Sequence, residues 1–139
     1  MRISKYISNS GYCSRRKAEE FILQKKVKIN NKLCKHPSEK VNDSDCIKIN
    51  NKIIKLNNQI KIWKMYKPIK YICSNNDPKK RKTIFDLIPP NFPRLISIGR
   101  LDFMSEGLIL FTNNGDILEN LSYQVLNTKG YIEYASKAK

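Results

Sequence analysis

Two periods of apolar positions divide this chain. Near the N-terminus they recur at helical spacing: Ile3, Tyr6 and Ile7 stand at i, i+3 and i+4, and Ala18, Phe21 and Ile22 repeat the pattern. The first set predicts a short helix over residues 2–9, broken by Asn9-Ser10-Gly11. The second predicts a helix from Arg15 to Lys25, with Ser14 placed to cap it. From Val27 the period drops to two. Val27-Lys28-Ile29, Lys32-Leu33-Cys34, Cys46-Ile47-Lys48-Ile49 and Lys52 to Leu56 alternate like strands, turned by Asn30-Asn31, Asp43-Ser44-Asp45 and Asn50-Asn51. Two helices and short basic strands make a first domain over residues 1–56.

Residues 57–60 are a polar junction, and a second, strand-rich domain is predicted over residues 61–139. Ile60, Ile62 and Met65, with Trp63 nearby, open it, and Tyr71-Ile72-Cys73-Ser74 continue it. A basic loop over residues 75–82 leads to a predicted short helix at Thr83 to Ile88, stopped by Pro89-Pro90. Two β-prone runs follow, Leu95-Ile96-Ser97-Ile98 and Leu108-Ile109-Leu110-Phe111. The loop between them carries Arg100, Asp102 and Glu106 and has a glycine toward each end, Gly99 and Gly107. Charged residues on a loop held by two strands are a common site of chemistry, although an Asp there is more often a turn residue or a cap. Asp116 to Tyr123 has the spacing of a last helix. The fold class predicted is α+β, with a partial mixed or antiparallel sheet in the second domain.

Composition adds a partner. Lys and Arg number 27 against 12 Asp and Glu in 139 residues, a formal net charge of +15. That excess favours a polyanion, nucleic acid before an anionic membrane surface. It is also placed: Arg15 and Arg16 stand in the first turn of a predicted helix, where the dipole disfavours cations and free N–H groups favour anions. Cys13, Cys34, Cys46 and Cys73 include no Cys-x-x-Cys pair, and His36 is the only histidine, so no metal site is predicted. Unpaired thiols fit a reducing compartment. With no signal-peptide core and no apolar run long enough to span a bilayer, the expected location is cytoplasmic, away from membranes.

Three stretches carry a resemblance. Gly99-Arg100-Leu101-Asp102, Ser105-Glu106-Gly107-Leu108 and Leu110-Phe111-Thr112-Asn113-Asn114-Gly115 resemble the signature of bacterial ribosomal pseudouridine synthases that carry an N-terminal S4 domain. Ile3-Ser4-Lys5-Tyr6-Ile7, Gly11 to Glu19 and Val27-Lys28-Ile29-Asn30 resemble the S4 RNA-binding domain itself. Tyr66-Lys67-Pro68 is similar to the family's Asn-Lys-Pro-x-Gly, with Tyr66 in place of Asn and Lys70 in place of Gly.

The resemblance implies a cofactor-free isomerase that converts uridine to pseudouridine, acting as a monomer on ribosomal RNA or a pre-ribosomal particle. It implies Asp102 as nucleophile with Arg100 beside it, and Tyr134 or Tyr131 as the family's active-site tyrosine. For RNA contacts it implies Arg15, Arg16 and Lys17, then Lys5 and Lys28. Family members continue further, so the resemblance also implies a chain holding only the N-terminal part of the catalytic domain. The alternative is a truncated, inactive relative that only binds structured RNA through its S4 domain.

Overall fold

The computed structural model describes residues 1–118, in two compact units that divide between Gln59 and Ile60. The class is α+β, with antiparallel sheets.

In the first unit, helix α1 (Ile3–Asn9) and helix α2 (Arg15–Leu23) pack over a four-stranded sheet. Its strands are β1 (Val27–Ile29), β2 (Lys32–Leu33), β3 (Ile47–Ile49) and β4 (Lys52–Ile54), in the order β2-β1-β3-β4. Both helical stripes enter the core: Ile3, Tyr6, Ile7, Ala18 and Ile22 are buried with Val27, Ile47 and Ile49, and Phe21 packs at the edge. Asn30-Asn31 and Asn50-Asn51 have φ between +49° and +66°. Positive φ at both central residues of a two-residue loop is the hairpin geometry that matches strand twist, and asparagine tolerates it better than other residues with a side chain.

Helix α2 ends at Leu23, two residues before the Lys25 that its spacing predicts. Lys25 has φ +59°, its N–H donates to Ile22 O, and the N–H of Lys26 donates back to Phe21 O. That is a left-handed helix stop, made here by lysine where glycine is usual. Apolar periodicity cannot register it.

In the second unit β5 (Ile62–Lys67), β6 (Ile96–Ile98) and β7 (Gly107–Thr112) form an antiparallel sheet in the order β5-β7-β6. One face is a core of Trp63, Met65, Ile109 and Phe111 with Ile84 and Leu95. Edge-to-face ring pairs, Trp63–Phe92 and Phe85–Phe111, fill it. The predicted helix at Thr83 to Ile88 is a single 3-10 turn, Ile84–Leu87, capped by Thr83 and Asp86. Ile88 is already extended at ψ +129°, as a residue before proline prefers, so the turn cannot lengthen. Tyr71 to Ser74 form no strand: they supply one parallel bridge, Ile72 to Thr83. Residues 116–118 start a helical turn, and the remainder of the helix predicted to Tyr123 lies outside the described residues.

Candidate active site

The loop over residues 99–106 joins β6 to β7. Its two glycines take conformations that other residues avoid, φ +79° at Gly99 and +146° at Gly107. Between them the chain turns on a backbone bond from Ser105 N to Asp102 O, 3.0 Å.

A lysine anchors this turn from beneath. Along β5, Trp63, Met65 and Lys67 alternate onto the buried face. Lys67 is 0% exposed, yet it meets no carboxylate. Its Nζ donates to three carbonyl oxygens, Ser105 at 2.6 Å, Asp102 at 3.0 Å and Pro68 at 3.1 Å. Only a protonated amine has three N–H groups to give. Sequence reasoning set Lys67 inside a matched tripeptide and gave it no role; the period-two pattern already places it on the core face.

Further bonds hold the loop from the residues after β5. The N–H of Lys70 donates to Phe103 O at 2.7 Å, and the N–H of Leu101 donates to the Cys73 sulfur at 3.3 Å. Lys70 has φ +67°, so the glycine of the family pattern is replaced here by a residue strained in the same conformation. The other departure, Tyr66, lies across the strand pair: its hydroxyl donates to the Glu106 carboxylate, which raises the phenol's pKa.

Asp102 is exposed, and among the described residues its carboxylate accepts no hydrogen bond. A turn or capping Asp would spend its oxygens on nearby N–H groups; here the backbone makes the turn and the carboxylate stays open. Asp102 and Arg100 line one cleft of about 440 Å³ with Asp77, Arg81 and Phe103, a size typical of small-molecule sites. Arg100 also lines a second cleft, of about 430 Å³. Asp77 pairs with Arg81 there, and that guanidinium holds its carboxyl down to about 2. Tyr131 and Tyr134 lie outside the described residues.

In the first unit Arg15, Arg16 and Lys17 are exposed in the opening turn of α2. The Ser14 hydroxyl accepts from Lys17 N at 3.2 Å, and no acid stands in that turn. Lys17 is partly engaged, with Nζ 2.6 Å from Glu20. Lys5 is half-buried on α1. Lys28 is exposed on β1 directly opposite Lys48 of β3. Facing like charges on one sheet are unfavourable; Lys48, which sequence reasoning did not single out, gives its Nζ to Asn31 Oδ1 at 2.9 Å. Among the described residues no three His, Cys, Asp or Glu side chains are grouped to hold a metal ion, and no helix is long and apolar enough to cross a membrane.

The chain thus pairs a unit with exposed cations at a helix start with a sheet that displays an Asp on a locked turn. Residues 1–47 match the S4 domain and residues 61–134 match RNA pseudouridylate synthase. The chain belongs to the RNA pseudouridylate synthase family. An uncharacterized RNA pseudouridine synthase of Rickettsia felis is 43% identical over 116 residues, covering 84% of this chain and 50% of the relative. The ribosomal large subunit pseudouridine synthase B of Bacillus subtilis is 37% identical over 122 residues, covering 88% of this chain and 50% of the relative. A solved pseudouridylate synthase structure is 28% identical and covers 86% of this chain and 51% of its own, with a TM-score of 0.45. The chain spans about half the length of the curated relatives it matches.

Three outcomes are expected. Lys67→Met removes the donor from three carbonyls and costs about 2–4 kcal/mol; urea unfolding followed by the single tryptophan, Trp63, measures it. The same variant exchanges amide protons faster over residues 99–106. Lys70→Gly releases a left-handed residue and raises stability by about 1 kcal/mol in the same assay. The third concerns acid. A carboxyl with a lowered folded pKa stabilises above its unfolded value and loses that contribution as pH falls through the folded one. The Asp77–Arg81 contribution therefore persists to about pH 4 and disappears between about pH 4 and pH 2. Asp77→Asn removes that part of the acid dependence, read from unfolding midpoints across the range.

Proposed function

We propose that this chain isomerises uridine to pseudouridine in ribosomal RNA, with Asp102 as the nucleophile. The observation that carries this reading is an exposed carboxylate without a hydrogen bond among the described residues, on a turn locked by a buried lysine. The locking fixes the backbone that carries the group, so binding energy is not consumed in ordering the turn.

The reaction needs few side chains. The uridine leaves its stack at a cost of a few kcal/mol. The carboxylate attacks C1′ of the ribose and displaces N1 of uracil; the base turns, C5 attacks C1′ and displaces the carboxylate, and C5 then loses its proton while N1 gains one. Covalent carboxylate catalysis of this kind splits one hard step into two. Arg100, in the same cleft, contacts the RNA backbone or the flipped nucleotide. One of Tyr131 and Tyr134 stacks on the base. The ribosomal substrate is supported by the name of the Bacillus subtilis relative and by the S4 match. Arg15, Arg16 and Lys17 hold RNA phosphates, with Lys28 and Lys5 contributing at the sheet and at α1. The protein works as a cytoplasmic monomer without metal or organic cofactor.

Asp102→Asn tests the reading. It abolishes pseudouridine formation on ribosomal RNA, mapped by chemical derivatisation, and leaves RNA affinity intact. Because the carboxylate makes no hydrogen bond among the described residues, unfolding stability stays within about 0.5 kcal/mol of wild type. Activity retained by the Asn variant refutes the nucleophile. Absence of activity in both proteins, with RNA binding retained, establishes an RNA-binding chain instead.

A further inference from the structure

Asn76, Asp77 and Arg81 line the Asp102 cleft, from a loop over residues 75–82 that the reaction above does not use. Lys79, Lys80, Arg81 and Lys82 make it strongly basic, and its one acid, Asp77, is spent within it. The Asp77 carboxylate accepts the backbone N–H groups of Arg81 at 2.7 Å and Lys79 at 3.3 Å. Those two bonds close the loop by themselves. The carboxylate also takes Nε–H and Nη2–H of Arg81, at 3.0 and 3.3 Å, and this second pair of bonds fixes the direction of the guanidinium.

The pair has a covered side and an open side. The Asp77 side chain is 5% exposed and that of Arg81 is 41% exposed. Phe103, the residue after Asp102, lies against the guanidinium with its ring centroid 5.2 Å away. A guanidinium carries five N–H donors. Two are given to Asp77, and the others have no partner among the described residues. Arg81 lines the same cleft as Arg100 and Asp102.

Taking Asp102 as the reacting carboxylate, we propose that Arg81 binds a backbone phosphate of the RNA strand beside the target uridine, with Asp77 and Phe103 as positioning residues. The chemistry selects a phosphate over a base. Phe103 lies beside the guanidinium, and the N–H groups not given to Asp77 include the parallel pair that fits two phosphate oxygens. The charge balance agrees: two guanidinium groups share the cleft, and Asp77 is already committed. A role as a brace explains less of Arg81, since the Asp77 carboxylate already closes the loop on the N–H groups of Lys79 and Arg81 and the half-open guanidinium adds little to that. Holding a long side chain in advance lowers the ordering cost of binding. The pair also stays ionised at any pH where RNA is handled, since Arg81 keeps the Asp77 carboxyl near 2.

The test uses the full chain with in-vitro transcribed ribosomal RNA as probe and measures Kd across a salt series for wild type, Arg81→Ala, Arg81→Lys and Asp77→Asn. Arg81→Ala loses one phosphate contact, so the slope of log Kd against log salt falls by about 0.7–0.9. Its affinity drops on the order of 10-fold. Arg81→Lys and Asp77→Asn keep a cation and hence the wild-type slope, but bind less tightly because the fork is lost or no longer aimed. A wild-type slope in Arg81→Ala overturns the proposal, as does an equal slope loss in Arg81→Lys. Trp63-detected unfolding runs in parallel, and an affinity loss in Arg81→Ala matched by loss of folded protein, with Arg81→Lys binding as wild type, also overturns it. The assay needs no turnover. A wild-type chain that binds but makes no pseudouridine sinks the catalytic reading while the salt slopes still decide Arg81.

Discussion

A primary amine with no exposed surface lies beneath the end of β5, held there by three carbonyl oxygens. Burying a cation is costly unless it is compensated, and the common compensation is a carboxylate. Here backbone dipoles do it. The choice has geometric consequences, because the carbonyls belong to two pieces of chain: Pro68 leaves the strand, while Asp102 and Ser105 bound the turn. One side chain therefore sets where the strand ends and how the turn lies against it. Two residues with unusual backbone angles, Gly107 opposite Lys67 and Lys70 just beyond it, complete the arrangement. The open carboxylate of Asp102 follows from this, since a turn held by its backbone leaves the side chain unspent.

The first unit obeys a different economy. Its core is ordinary: isoleucines and small residues from two helices and a sheet, tied at the N-terminus by bonds between Met1 and Val41 and from Ile3 N to Glu39 O. Its surface is not relaxed. Two arginines crowd a helix start that lacks acids, and two lysines face each other across β1 and β3. Each arrangement is mildly unfavourable for the isolated fold and favourable once phosphates approach.

How far the sequence foretold this differs by element. Both helical stripes and both Asn-Asn hairpins were legible, because each is a local pattern with a local cause. The end of α2 was not, since Lys25 stops it by taking a backbone angle that no periodicity encodes. The short helix predicted at Thr83 to Ile88 is present as one 3-10 turn, Ile84–Leu87, because the prolines leave it no room to lengthen. In the site, the loop and its glycines could be seen, whereas the lysine beneath it needed a contact between residues 38 apart in sequence. The stacking of Arg81 on Phe103 was invisible for the same reason.

That separation also orders events in time. The hairpins of the first unit close between near neighbours, and near neighbours meet fast. The amine of Lys67 cannot reach Ser105 until β5 has paired with β7, across a much longer intervening chain. A chain caught midway in folding thus presents its basic helix while the Asp102 turn is still unformed.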